Sequence, residues 1–218
     1  MPDFAALRDR MVERQIAARG LRDPRLLAAF RKVPRELFLP DRLKHAAYDD
    51  CALPIECGQT ISQPYIVART IDAARIGPAD RVLEVGAGSG YAAALIGCIA
   101  REVVAIERIP DLADLARSRM QQVGYGNVRI VEGDGSLGLP DAAPFDVIVC
   151  AAAGPRVPRS WLDQLAPGGR IVLPIGSING IQHLTRYTLT EDGRLIEDRL
   201  DPVRFVPLIG AQAYDDDD

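Results

Sequence analysis

The stretch that decides the fold is Leu83-Glu84-Val85-Gly86-Ala87-Gly88-Ser89-Gly90-Tyr91. Arg81 to Val85 is apolar and β-branched, the pattern of a short buried strand. Three glycines at alternate positions stop it, and Ala92 to Ile99 continues as an apolar helix. A strand, a glycine loop and a helix in that order bring bare backbone close to a ligand. Working outward, strands are predicted at 81–86, 102–107, 128–133, 145–151 and 169–175, with helices near 90–99, 111–123 and 158–165. Such alternation argues for a doubly wound, mostly parallel α/β sheet of Rossmann-like type. His183–Thr190 and Arg194–Leu200, joined by Glu191-Asp192-Gly193, read as an antiparallel hairpin at the sheet's C-terminal edge.

Upstream, Phe4, Leu7, Met11, Val12 and Ile16 form a helical stripe ended by Gly20. Asp23-Pro24 opens a second helix as N-cap and first residue, and Pro34 closes it. Residues 34–64 carry four prolines and read as irregular, a length of loop that is often functional. A third helix follows over Tyr65–Ala74. The expected organisation is an N-terminal helical extension with a substrate loop (1–78), a cofactor-binding core (79–210) and an acidic, disordered tail (211–218).

Composition narrows the function. The apolar content of 48% and charged content of 26% are those of an ordinary soluble domain. The net charge of −4 is matched by the four acids Asp215–Asp218, and without them acids equal the 26 Lys and Arg. A neutral body argues against a nucleic-acid partner. The N-terminus has no secretory pattern, and no run approaches the ~18 apolar residues of a membrane span. Cys51, Cys57, Cys98 and Cys150 form no Cys-x-x-Cys pair, and with only His45 and His183 available a metal site is not expected. Four thiols of this kind fit a cytoplasmic protein.

The glycine spacing is G-x-G-x-G rather than the dinucleotide fingerprint G-x-G-x-x-G. Glu84-x-Gly86-x-Gly88 resembles motif I of S-adenosylmethionine (AdoMet)-dependent methyltransferases. Glu107 ends the second strand about 20 residues on, where an acid binds a ribose. Asp134 and Gly135 follow the third strand, where an acid can accept from an adenine amine; the plainer alternative is a turn aspartate beside glycines. Gly58-Gln59-Thr60-Ile61-Ser62-Gln63-Pro64 is unusual for its small polar residues. By composition alone it is a loop with a serine or threonine helix cap. Ser62 lacks the Gly-x-Ser-x-Gly elbow and any recognisable His partner of a hydrolase nucleophile.

These segments together resemble the protein-L-isoaspartate O-methyltransferase family of bacterial type. Carrying the resemblance are Leu53-Pro54-Ile55, Gly58 to Tyr65, the glycine loop, Gly133-Asp134-Gly135, Ala143 to Asp146, Pro167 to Arg170 and Val203 to Leu208, spanning about Met11 to Gly210. The resemblance implies AdoMet as methyl donor, S-adenosyl-L-homocysteine as product and no metal. The implied acceptor is the free α-carboxylate of L-isoaspartyl residues in damaged proteins, whose repair then proceeds through a succinimide. It implies Ser62 as the catalytic residue, with Gln59, Thr60 and Ile61 binding substrate. Glu84, Gly86, Gly88, Ser89, Gly90, Glu107, Asp134 and Gly135 would hold the cofactor. An α-carboxylate has a pKa of roughly 3.5, so it is already a nucleophile at neutral pH and needs no base. Glu56 departs from the family, which is expected to have glycine there; a carboxylate at that place would repel an acidic substrate or face solvent. Two rivals stand beside this reading, a methyltransferase for another carboxylate and a non-catalytic AdoMet-binding adaptor.

Overall fold

The computed structural model describes residues 2–215. α1 (Phe4–Met11) starts on Asp3, whose carboxylate accepts from the Ala6 amide. The helix then widens through 12–16, tightens through 17–19, and ends on Gly20 at φ +95°. α2 (Pro24–Lys32) is capped by Asp23, which accepts from the Arg25 amide at 2.8 Å, with Pro24 opening it. Both stop and start signals are therefore where the sequence places them.

Residues 34–64 are more ordered than expected. Short tight helices at 35–38 and 41–46 are followed by a short antiparallel hairpin, β1 (Leu53–Pro54) and β2 (Thr60–Ile61). The turn between them needs the left-handed region at Cys57 (φ +55°) and Gly58 (φ +69°). The period-two pleat exposes Thr60 and buries Ile61, a pattern too short to read from periodicity. α3 (Pro64–Ala74) opens directly after the hairpin.

The sheet comprises β3 (Arg81–Val85), β4 (Glu102–Glu107), β5 (Val128–Glu132), β6 (Phe145–Cys150), β7 (Leu165–Ile175), β8 (Gln182–Leu189) and β9 (Leu195–Val203). Its spatial order is β5-β4-β3-β6-β7-β8-β9. The first five strands are parallel; β8 and β9 add antiparallel to their neighbours. The main difference from expectation is at β7, which begins at Leu165 rather than 169. It pairs Leu165 with Phe145 and then shifts register, so α6 shrinks to Arg159–Asp163. The chain switches direction across the sheet between β3 and β6, and the crevice outside their carboxyl ends is where open α/β sheets take ligands.

α4 (Tyr91–Gly97) and α5 (Pro110–Val123) pack with α1–α3 on one face. One apolar cluster runs continuously from Met11, Ile16 and Phe30 to Val82, Val103 and Val147, so the N-terminal extension shares the core of the sheet domain. The other face is filled by Phe145, Trp161, Ile171 and Leu173. The boundary drawn at residue 210 falls inside a docked segment. The Ala211 amide donates to Asp134, the Gln212 amide to Ser136 Oγ, and the Tyr214 hydroxyl to the Gly176 carbonyl. Residues 216–218 of the expected tail lie outside the described residues.

Candidate active site

Parallel pairing in register carries Val85, Ile106 and Val131 to one edge, so Gly86, Glu107 and Glu132 follow side by side, with Gly133 one residue beyond. The loop is then built from backbone. The Gly86 and Ala87 amides donate to the Ile106 carbonyl at 2.9 and 3.0 Å, and the Gly88 amide donates to Glu107 Oε2 at 2.8 Å. Gly86, Gly88 and Gly90 have φ of +84°, +53° and +87°, which side-chain-bearing residues rarely adopt. Gly90 additionally packs against α5: a Cβ there would meet Met120 Cε at 3.0 Å.

Across from this loop stands the β1–β2 hairpin. An inner cavity lies between them, lined by Thr60, Ile61 and Ser62 on one side and Glu84, Gly86, Gly88 and Ser89 on the other. A larger open groove joins it and extends past Gln59, Glu107 and Gly135 to the segments 178–181 and 202–209. All the sequence-derived site residues but two therefore line one continuous space. Gly90 lies beneath it as the left-handed start of α4. The Asp134 carboxylate is engaged within the protein, accepting from the Ser136 amide and hydroxyl and from the Ala211 amide. Gly135 has a packing reason of its own, since a Cβ there would fall 2.4 Å from Val85 Cγ1.

The electrostatics are uneven. Glu84 is buried, one of its carboxyl oxygens has no partner among the described residues, and burial, then the neighbouring Glu107, push its pKa up to about 8. Glu107 accepts from Ile109 as well as Gly88, and a carboxylate so placed retains lone pairs for further donors. Cys150 also lines the cavity, but burial pushes its thiol up to about 12, so it remains protonated. The Ser62 hydroxyl has no hydrogen bond among the described residues. It does not cap α3, whose N-cap is Gln63 with no side-chain bond. Glu56 turns away from the groove: both its oxygens accept from Arg119 Nη2, at 3.1 and 3.2 Å. Neither alternative raised for a carboxylate at this position describes its main contact.

Sequence reasoning missed Phe205, which lines both spaces, although its segment had been singled out. It also missed Arg35 and Arg119, which carry no local motif and reach the site from distant elements. Among the described residues no group of three or more His, Cys, Asp and Glu could hold a metal ion, and no helix is long and apolar enough to cross a membrane.

The arrangement fits AdoMet by its chemistry. A glycine cradle without side chains admits a bulky ligand, and the unpartnered Glu84 oxygen and the Glu107 carboxylate are acceptors for a ligand rich in ammonium and hydroxyl donors.

Comparison with known proteins agrees with this geometry. A sequence 55% identical over 211 residues, covering 97% of this chain and 86% of its own, is protein-L-isoaspartate O-methyltransferase 1 of Rhodopseudomonas palustris strain HaA2. The Koribacter versatilis protein-L-isoaspartate O-methyltransferase is 53% identical over 212 residues, covering 97% and 94%. Among solved structures, a protein-L-isoaspartate O-methyltransferase superposes with a TM-score of 0.86 at 28% identity, over 94% of this chain and 67% of that one. A Plasmodium falciparum chain described as a beta-aspartate methyltransferase (PCMT), solved with S-adenosyl-L-homocysteine, shares the fold at a TM-score of 0.78 and 24% identity, over 93% and 98%. The profile of the protein-L-isoaspartate(D-aspartate) O-methyltransferase (PCMT) family matches residues 6–213. With that match over nearly the whole chain, this protein belongs to the protein-L-isoaspartate(D-aspartate) O-methyltransferase family of AdoMet-dependent methyltransferases.

Proposed function

We propose that the protein methylates the free α-carboxylate of L-isoaspartyl residues in damaged proteins, with Ser62 as the residue that orients the acceptor. The observation that carries this reading is the unengaged Ser62 hydroxyl on a hairpin facing the glycine cradle across one cavity. When bound, AdoMet supplies an electrophilic methyl group on a sulfonium. Gly86, Gly88 and Ser89 would bound that cofactor's space, Glu107 would accept from its ribose hydroxyls, Glu84 would offer a buried acceptor, and Gly135 would flank it. Asp134 joins that set only if the cofactor's adenine competes for a carboxylate now engaged by Ser136 and Ala211.

The acceptor carboxylate is already ionised, so the protein's task is alignment. Ser62 Oγ can donate to one carboxylate oxygen and leave the other free to take the methyl group. A neutral hydroxyl orients without quenching the nucleophile as a direct ion pair would. Thr60 and Ile61 form the wall beside it, and Gln59 faces the groove through which a peptide enters. As the O–CH3 bond forms and the methyl–sulfur bond breaks, the carboxylate and sulfonium charges would cancel and neutral S-adenosyl-L-homocysteine would leave, so a site that limits water would favour the reaction. Substrates are proteins and peptides rather than free amino acids, which suits a groove far larger than one residue. Cytoplasmic residence fits four thiols that form no disulfide.

The deciding experiment is transfer of labelled methyl from AdoMet to paired isoaspartyl and aspartyl peptides of the same sequence. Labelling of the isoaspartyl peptide alone is the expected result. AdoMet binding with no transfer to either would overturn the repair reading.

A further inference from the structure

Arg35 is a fully buried guanidinium with no carboxylate partner among the described residues. Its Nε donates to the Ala47 carbonyl at 2.8 Å and its Nη2 to the Ser62 carbonyl at 2.9 Å. Its guanidinium carbon lies 4.9 Å from the ring centroid of Tyr91, the first residue of α4 and part of the inner cavity wall. Nη1 has no partner. The adjacent acid, Glu36, makes no ion pair with it; its carboxylate accepts from the Tyr48 hydroxyl. A buried charge without a counter-ion is costly, and proteins normally pair or remove it. Here it persists directly behind the residue that faces the acceptor.

The inner cavity gives the charge a purpose. No Lys, Arg or His lines it, and its acidic lining residue is Glu84. The larger groove carries Glu107 together with Arg108 and Arg204. An acceptor carboxylate that passes from the groove to Ser62 in the inner cavity therefore meets no cationic side chain in that wall. A cation one residue behind Ser62 raises the local potential without touching the acceptor, so it attracts the carboxylate and leaves both oxygens free of an ion pair.

We propose that Arg35 is the positioning residue for the acceptor carboxylate, fixing the Ser62 main chain and supplying the positive potential that selects an anion over a neutral group at that place. This rests on the isoaspartyl reading above. The charge acts at short range and inside the protein, so its effect resists added salt more than a surface charge would. Its two roles are separable. Lysine keeps the charge but cannot span both carbonyls; glutamine keeps an amide donor but loses the charge.

The test compares an isoaspartyl peptide with the same peptide bearing an α-carboxamide, each titrated by calorimetry with S-adenosyl-L-homocysteine present. Wild type is expected to prefer the carboxylate. R35Q should reduce that preference by about tenfold, as loss of one charge interaction. R35K should keep it while lowering kcat on the isoaspartyl peptide, because Ser62 is less firmly held. An unchanged preference in folded R35Q overturns the proposal. Should R35Q fail to fold by thermal melt, R35K decides: loss of the preference, or wild-type kcat, overturns it. If wild type itself methylates no isoaspartyl peptide, the functional reading fails instead, a result distinct from a preference that survives in R35Q.

Discussion

The glycine loop of residues 86–90 and the hairpin of residues 53–61 face each other across the same cavity, but they are held by different means. The glycine loop is fixed by its own neighbourhood: successive amides of Gly86, Ala87 and Gly88 bond to the end of the adjacent strand. The hairpin has one cross-strand register of two residue pairs and depends on long side chains from elsewhere. Arg35 from the N-terminal segment holds the Ser62 carbonyl, Arg119 from α5 holds Glu56, and Gln63 Nε2 reaches Asp50. A loop built into a sheet edge, as proposed for the cofactor, is rigid and tolerates little substitution. A loop held by side chains, as proposed for the acceptor, can be retuned one residue at a time.

The sharpest way to break the comparison is to fill the cradle. Gly88→Val forces a branched side chain to φ +53° and into the shared space. AdoMet binding by calorimetry and activity should both be abolished while the fold survives in circular dichroism. Wild-type affinity in this variant would mean that the cofactor does not approach the loop. Glu107→Ala comes next. It removes the acceptor for Gly88 and Ile109 together with the acceptor proposed for ribose, so the AdoMet Kd should weaken by about 1–3 kcal/mol. An unchanged Kd would leave Glu107 with a structural role only.

The two halves also differ in how far they could be read. The core strands were legible because each is an apolar run bounded by turn residues, and the glycine spacing encodes backbone conformation directly. The end-of-strand acids follow from parallel register. The hairpin was less legible: its strands are two residues long, and their meaning came from family resemblance rather than periodicity. The early start of β7 was hidden because Pro167-Gly168-Gly169 reads as a turn, yet it is accommodated within the strand at a register shift. Arg35 and Arg119 were invisible because nothing local marks an arginine whose partners lie 27 and 63 residues away.

The strap on the hairpin can be cut at Glu56. Arg119 is buried and also donates to the Ser89 carbonyl at 3.4 Å, so it joins the hairpin to the glycine loop. Glu56→Ala leaves that guanidinium without its carboxylate. With Glu56 partly exposed, the cost falls between a surface pair and a buried one, about 2 kcal/mol. The melting temperature should fall accordingly, and the charge-reversed double variant E56R/R119E should recover part of the loss. No change in the single variant would show that the hairpin keeps its place without the strap.

Glu84 lies at the seam between the two regions and gives a pH test. Its pKa is raised to about 8 in the folded protein against an ordinary carboxylate value near 4.5. Between those limits the native state holds a proton that the unfolded chain has released. Stability attributable to this group therefore falls as pH rises through that window and levels off above it, by at most about 1.4 kcal/mol per pH unit. Glu84→Gln should remove this slope, so its melting temperature should gain on wild type between pH 6 and 7. Parallel curves would mean that Glu84 is ionised in the native protein.

The smallest expected effect belongs to Ser62, and its size is informative. Its hydroxyl neither caps α3 nor bonds to another group among the described residues, so Ser62→Ala breaks no contact of the folded protein. Stability should be unchanged within error. Loss of a helix cap would instead cost about 1 kcal/mol. The AdoMet Kd should also hold, because the cofactor side is built on glycines and Glu107. What is removed is one hydrogen bond to an acceptor carboxylate whose charge is already partly lost in the transition state, so the loss stays at about 1.5 kcal/mol, or roughly tenfold in kcat on an isoaspartyl peptide. A variant with lowered melting temperature and intact kcat would make Ser62 part of the scaffold and move the orienting role to Thr60. Lowered kcat at constant stability and constant AdoMet affinity would place that role on the side-chain-held loop, as the contrast between the two loops requires.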